Sequence, residues 1–207
     1  TCSGIQILAG LCRDATAASL VNVLPGEKPA DAYATVAQHA KPHIPVSLYP
    51  YWDRSTVKRV VMTVPYNAKP FSNRSYIRNA LKEKGLEEIS KEDLTKTVKA
   101  VRDAMEEILP GPMAVMTWIE DQVKLAMKRG DTELSWVTPS GFVVTQKLNK
   151  KLFERVTLQL LGRVDIRVAT DDSDTVDKNH HKNATSPNLI HSLDASMLCL
   201  SALRFDA

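Results

Sequence analysis

Apolar residues recur at helical spacing over most of this chain, and the places where that spacing fails mark its turns. Ile5, Leu8, Leu11 and Cys12 share one face of a helix predicted over residues 3–14, with Ser3 available as its cap. A turn at Pro25-Gly26-Glu27 precedes a second helix predicted around Pro29 to Ala40. Lys41 to Tyr51 holds three prolines and reads as a loop. Asp53 can cap a helix that starts at Arg54 and should end or kink near Pro65, because proline disfavours helical geometry in the residue before it. Ser90-Lys91-Glu92-Asp93 resembles a capping box with Asp in place of the usual Glu or Gln. The helix it opens carries Leu94, Val98, Val101, Met105 and Ile108 on one stripe, up to a break at Pro110-Gly111-Pro112. Val115, Trp118, Ile119, Val123 and Met127 form a further amphipathic helix, ended by Gly130.

Beyond Gly130 the period changes. Leu134 to Val137, the turn Pro139 to Gly141, and Phe142 to Thr145 read as strand, tight loop and strand. Alternation at Val164, Ile166 and Val168 predicts more strand between Val156 and Thr170. Residues 171–186 are polar and read as a loop, and Ile190, Leu193, Met197 and Leu200 define a final helix. The expected class is α+β, mainly α-helical, with a small β-hairpin.

Composition narrows the classes without choosing among them. The 207 residues are 43% hydrophobic and 25% charged, which is globular and sufficient for one domain or one lobe of a larger one. A net charge of +3 permits nucleic-acid binding but does not establish it. Cys2, Cys12 and Cys199 are odd in number and form no C-x-x-C pair, which argues against a disulfide framework or structural zinc and for a reducing compartment. No apolar run approaches the ~20 residues that cross a bilayer, so no membrane partner is expected.

Candidate chemistry concentrates between Arg54 and Tyr66. Arg54, Lys58 and Met62 recur every four residues, with Tyr66 four further on, and such residues stack along one helix face. Two cations and a phenol on one wall suit a triphosphate and its sugar, Arg as a bidentate fork and Lys as a point charge. On spacing alone, a solvated basic face explains the cations equally well. His191 and Asp194, three apart, are neighbours off the apolar stripe of the last helix. Asp171, Asp172 and Asp174 lack the glycine and terminal Glu of a calcium loop, and His180-His181 has no accompanying ligands, so neither is read as a metal site.

The pattern Arg-x3-Lys-Arg-x6-Tyr from Arg54 to Tyr66 resembles the nucleotide-binding fingers helix of phage-type single-subunit RNA polymerases, a family that includes the mitochondrial enzymes. Three more blocks follow the family's order. Thr1-Cys2-Ser3-Gly4-Ile5-Gln6 resembles the tail of its first palm motif, Trp136 to Phe142 its Thr-Pro-x-Gly-Phe loop, and Pro187 to Ser196 its Pro-Asn-x-x-His-x-x-Asp helix. The resemblance implies a right-hand DNA-directed RNA polymerase, with residues 1–15 as a palm fragment, 16–191 as the fingers subdomain and 192–207 as a second palm fragment. It implies that Lys58 holds the incoming NTP, that Tyr66 and His191 recognise the ribose 2′-OH, and that Tyr33 lies near the active-site nucleic acid. Arg54 and Arg59 contact nucleotide phosphate or template backbone; the sequence leaves both roles open. Implied partners are NTP, the DNA template, the RNA product and the remainder of the polymerase chain.

This chain also departs from the family. A small residue is usual where Pro65 stands and Gly where Asn67 stands, and the loop near residues 42–50 is shorter. The resemblance places one catalytic Asp two residues before Thr1 and the other in a His-Asp-Ser motif that the chain does not contain. Mg²⁺ is therefore expected only in the intact parent, on ligands outside this chain, and the fragment alone is expected to be inactive. Palm pieces without their partners would expose apolar surface and favour self-association. A single-subunit DNA polymerase is disfavoured, since an aromatic normally stands where Met62 does. The remaining alternative is a non-catalytic nucleic-acid-binding remnant of a prophage polymerase. A phage or prophage gene expressed in bacterial cytoplasm is expected rather than an organellar one.

Overall fold

Side-chain oxygens placed to accept free amides start many of the helices. In the computed structural model, which describes residues 2–159 and 162–205, Asp14 caps α2 (Ala15–Leu20), Asp31 caps α3 (Ala32–Ala40), Asp53 caps α4 (Arg54–Thr63) and Ser90 caps α6 (Lys91–Ile108). Each such cap is worth about 1 kcal/mol. Proline opens α5 (Pro70–Glu83) and α7 (Pro110–Arg129), where its missing N–H would have been unpaired in any case. Ser3 is the first residue of α1 (Ser3–Cys12) and makes no cap; Thr1, which begins the palm-like motif, lies outside the described residues.

The core forms where α3, α4, α5 and α6 meet, around Val36, Val57, Val60, Val61, Ile77, Leu81, Leu94 and Val101, all 0% exposed. Helix α1 packs on α7, and both pack on α8 (Lys178–Phe205). Strand β1 (Leu134–Val137) pairs antiparallel with β2 (Val143–Gln146) around a turn in which Gly141 takes φ 84°. Strands β3 (Asn149–Leu158) and β4 (Val164–Val176) form a longer antiparallel hairpin, irregular near Lys151, whose side chains are exposed along nearly its whole length. The mainly helical α+β class therefore stands, with two hairpins instead of one. No described helix is long and apolar enough to cross a membrane.

Several expected boundaries are corrected. Residues 171–186 are not a loop: 171–176 end β4, and 178–186 are the first turns of α8. Their polarity reflects solvent on both faces of the hairpin and a helix start capped by Asp177, whose Oδ1 accepts from His180 N–H at 2.9 Å. Lys41 to Tyr51 forms two 3₁₀ segments (Lys41–His43 and Val46–Tyr51), which tolerate the prolines because few internal bonds are needed. Helix α4 does end near Pro65, at Thr63, but Val64 keeps right-handed helical angles and the chain tightens into a 3₁₀ turn over Val64–Tyr66. Pro110-Gly111-Pro112 starts α7 directly after Leu109 instead of forming a separate break. Helices α2 and α5 lack a clear apolar stripe and are found only in the fold.

The base of the long hairpin is held by one buried imidazole. His181 is 0% exposed, and its Nε2 accepts from the Leu148 backbone N–H at 3.1 Å, while Asp177 N–H donates to the Leu148 carbonyl at 2.9 Å. A backbone N–H can only donate, so Nε2 must stay unprotonated. Burial, together with the neighbouring charge of His180, lowers the His181 pKa below its ordinary 6.5. The unfolded chain thus takes up the proton first, and this contribution is complete above pH 6.5 and lost as pH falls towards the lowered value. Hydrogen exchange at Leu148, corrected for intrinsic rate, should accelerate between pH 7 and about 5. A His181→Gln variant should lose that pH dependence.

Candidate functional site

Helix α4 turns Thr56, Val57, Val60 and Val61 into the core and leaves Arg54, Ser55, Lys58 and Arg59 exposed. Its start is firmly set. Asp53 accepts from Ser55 N–H at 2.7 Å and pairs with Lys84 at 2.5 Å. Burial would raise the Asp53 pKa, but the hydrogen bonds from Lys84 and Ser55 outweigh it and hold the carboxyl well below the usual range.

The three cations of α4 have different surroundings. Arg54 Nε lies 2.5 Å from Asp31 Oδ2, and its guanidinium sits 5.0 Å from the centroid of the Tyr33 ring. Arg59 covers the Tyr76 ring at 4.9 Å. Lys58 has no hydrogen bond, ion pair or ring contact with any described residue, and is exposed. Lys58 is accordingly the α4 cation readiest to take an anion, whereas the arginines are pre-oriented by aromatic faces. Tyr33, 5% exposed, lines a cavity of about 450 Å³ with Cys2, Gln6, Asp31 and Arg54. Burial and the adjacent Cys2 push its phenol pKa up, so its hydroxyl stays protonated.

Tyr66 and His191 come together. Their rings stack with centroids 4.9 Å apart and planes 25° apart. Tyr66 leaves the 3₁₀ turn that follows α4, and its hydroxyl lies 3.4 Å from Ser3 Oγ. Ser186 Oγ donates to the Pro65 carbonyl at 3.2 Å, fastening the same turn to α8. Gly4 allows α1 to approach, since a Cβ there would stand 2.8 Å from Pro65 Cβ and 3.3 Å from Tyr66 Cε2. The expected wall is discontinuous. Met62 is half-buried against the core, so Lys58 and Tyr66 form two separate ends, roughly 12 Å apart along an ideal helix axis.

The loop from Trp136 to Phe142 also reaches α8. Trp136 Nε1 donates to Ser192 Oγ at 2.9 Å, and Ser140 N–H donates to Ser196 Oγ at 2.8 Å, on either side of Asp194. Among the described residues no group of three His, Cys, Asp or Glu side chains could hold a metal ion. Among the described residues the arrangement offers a free cation at one end, and a stacked phenol and imidazole at the other. Such a surface can bind an anionic ligand that carries a hydroxylated ring. Sequence reasoning missed Asp31, Tyr76, Asn67 and Ser186. Asp31 carried a signal as the cap before Ala32, and Asn67 as a residue that tolerates left-handed backbone; the other two have none.

Residues 1–207 match the profile of a family described as DNA-dependent RNA polymerase. The chain is 30% identical over 217 residues to the mitochondrial DNA-directed RNA polymerase of Mus musculus, covering 98% of this chain and 18% of that protein. It is 31% identical over 226 residues to DNA-directed RNA polymerase 1, mitochondrial, of Arabidopsis thaliana, covering 98% of this chain and 22% of that protein. It is 30% identical over 225 residues to DNA-directed RNA polymerase 3, chloroplastic, of Nicotiana sylvestris, with the same 98% and 22% coverage. The chain thus spans about a fifth of the length of these relatives.

Gly4→Ala should destabilise the protein by about 1–3 kcal/mol through overpacking against Pro65. Gly10→Ala, where an added Cβ meets nothing within 4 Å, should stabilise α1 by up to about 1 kcal/mol. Thermal or denaturant unfolding of the two variants checks both signs.

Proposed function

This chain belongs to the phage-type single-subunit DNA-dependent RNA polymerase family, and on that footing we propose that it forms the nucleotide-handling part of a DNA-directed RNA polymerase. Residues 16–191 would be the fingers of a right-hand enzyme, with palm segments at 1–15 and 192–207. Lys58 takes the triphosphate of the incoming NTP, and Tyr66 with His191 faces its ribose. The observation that carries this reading is the Tyr66–His191 stack at the end of the helix that presents Lys58, unpaired among the described residues.

Each residue's chemistry follows from its setting. In RNA synthesis the 3′-OH of the growing strand attacks the α-phosphate, and pyrophosphate leaves. Lys58 neutralises charge on that leaving group and fixes its position, a contribution of orientation and electrostatics. The stacked His191 ring limits the freedom of the Tyr66 phenol, so that its hydroxyl can test for a 2′-OH. A site built around one hydroxyl discriminates against the analogue lacking it. Arg54 shares its charge with Asp31 and so contributes less net positive potential, serving phosphate or template as Arg59 does. Among the described residues no group of three His, Cys, Asp or Glu side chains could hold a metal ion, and we propose that Mg²⁺ would sit on carboxylates outside them. The exposed apolar end of α8, with Leu198 72%, Leu203 68% and Phe205 91% exposed, is the surface we assign to the rest of the polymerase.

The test is made in a full-length polymerase that carries this segment. Lys58→Ala should lower kcat/KM for NTPs by about 10- to 100-fold, the loss of one charge-assisted contact. Tyr66→Phe should raise deoxyribonucleotide incorporation relative to ribonucleotide. Template binding without RNA extension by the unmodified enzyme would leave only a nucleic-acid-binding role.

A further inference from the structure

Immediately after Tyr66 the backbone turns through Asn67 at φ 64°, in the left-handed region that Gly enters freely and Asn tolerates. Its side chain does what a glycine could not. Nδ2 lies 3.3 Å from the Asn183 carbonyl and 3.5 Å from the Lys182 carbonyl of α8. The Asn183 carbonyl is a particular one. Four residues on stands Pro187, inside α8, which has no N–H to return to it. Asn67 thus supplies a donor to a helical carbonyl that proline has left without its normal partner. His191 lies one turn beyond Pro187, so the same interruption lies between this contact and the ring that stacks on Tyr66.

A ring of charge surrounds the contact. Asn67 Oδ1 accepts from Lys69 Nζ at 2.5 Å, Lys69 pairs with Glu120 of α7 at 2.9 Å, and Glu120 reaches Lys182 of α8 at 3.4 Å. Burial would raise the Glu120 pKa, but Lys69 and Lys182 together hold it below the usual range. Turn, α7 and α8 are therefore joined by a closed polar circuit next to the Tyr66–His191 pair.

We infer that Asn67 is a positioning residue for ribose selection: by donating to the carbonyl freed by Pro187, it locks the Tyr66 turn to α8 and keeps the Tyr66–His191 stack in register. The inference rests on the proposed reading of that pair as the ribose-facing surface. Asn67→Gly retains the left-handed backbone and removes the amide, so the variant keeps its turn. Pro187→Ala restores a helical N–H to the Asn183 carbonyl and removes the need for Asn67.

The experiment is a double-mutant cycle over these two positions with two readouts. In the chain itself, NMR follows the ring-current shift of the His191 imidazole protons and their Overhauser contacts to the Tyr66 ring. In the full-length polymerase, the ratio of kcat/KM for a ribonucleotide to that for its deoxy analogue is measured. Asn67→Gly should weaken the stack and lower the ratio by about two- to tenfold, the scale of one hydrogen bond. In the Pro187→Ala background the same substitution should have little effect on either readout. An unchanged stack in Asn67→Gly, or equal losses in both backgrounds, overturns the inference. If Tyr66→Phe leaves the ratio unchanged, the ribose reading fails, and the NMR cycle still decides whether Asn67 sets the stack.

Discussion

The close seat of the Val64–Tyr66 turn between α1 and α8 is the constraint on which the site depends. Those two helices come from opposite ends of the described chain, and the turn is where both meet the cation-bearing helix α4. Three small features make the seat possible: the missing Cβ of Gly4, the Ser186 hydroxyl on the Pro65 carbonyl, and the His191 ring on Tyr66. Interiors packed at near-crystalline density transmit such contacts rigidly, so a shift in either helix would move the phenol. Pro65 takes part in that rigidity. Its fixed φ suits the second position of a 3₁₀ turn, and its ring fills the space against Gly4.

Electrostatics around α4 orients groups more than it stabilises the fold. The Arg54–Asp31 pair is about half exposed on both sides, where an ion pair contributes ~0–1 kcal/mol. Its value lies in geometry, because the guanidinium is kept over Tyr33 and beside the polar cavity. Arg59 is similarly tied to Tyr76. Against these fixed neighbours Lys58, a strongly hydrated charge on a flexible stem, has no partner among the described residues. That contrast suits a site in which one cation must move to a ligand while the surrounding framework holds still.

Much of the helical frame was legible from the chain. The stripe of α6, that of α7 apart from the exposed Trp118, the caps Asp53 and Ser90, the terminal Gly130 and the first hairpin all follow from local rules of spacing and hydrogen bonding. The misreadings share a cause. Residues 171–186 looked like a loop because the hairpin strand is exposed and the helix start buries polar side chains, His181, Thr185 and Ser186, so hydrophobic periodicity carries no signal there. Helix α5 has Asn73 buried beside Ile77 and Leu81, with Arg102 donating to its side-chain Oδ1 at 3.0 Å, and a polar core position breaks the apolar stripe.

What the sequence by itself determined is the order of motifs, the cations of α4 and the residue types able to meet a phosphate and a hydroxyl. These are properties of short segments, written in spacings of three, four and eight residues. Which of the cations lacks a partner among the described residues, that Met62 turns into the core, and that Asn67 answers the carbonyl left open by Pro187 were decided only by tertiary structure. The reason is physical. Partners such as Arg54 and Tyr33, Tyr66 and His191, or Asn67 and Asn183 are brought together by packing of distant helices, and no local propensity records which distant group a side chain will meet.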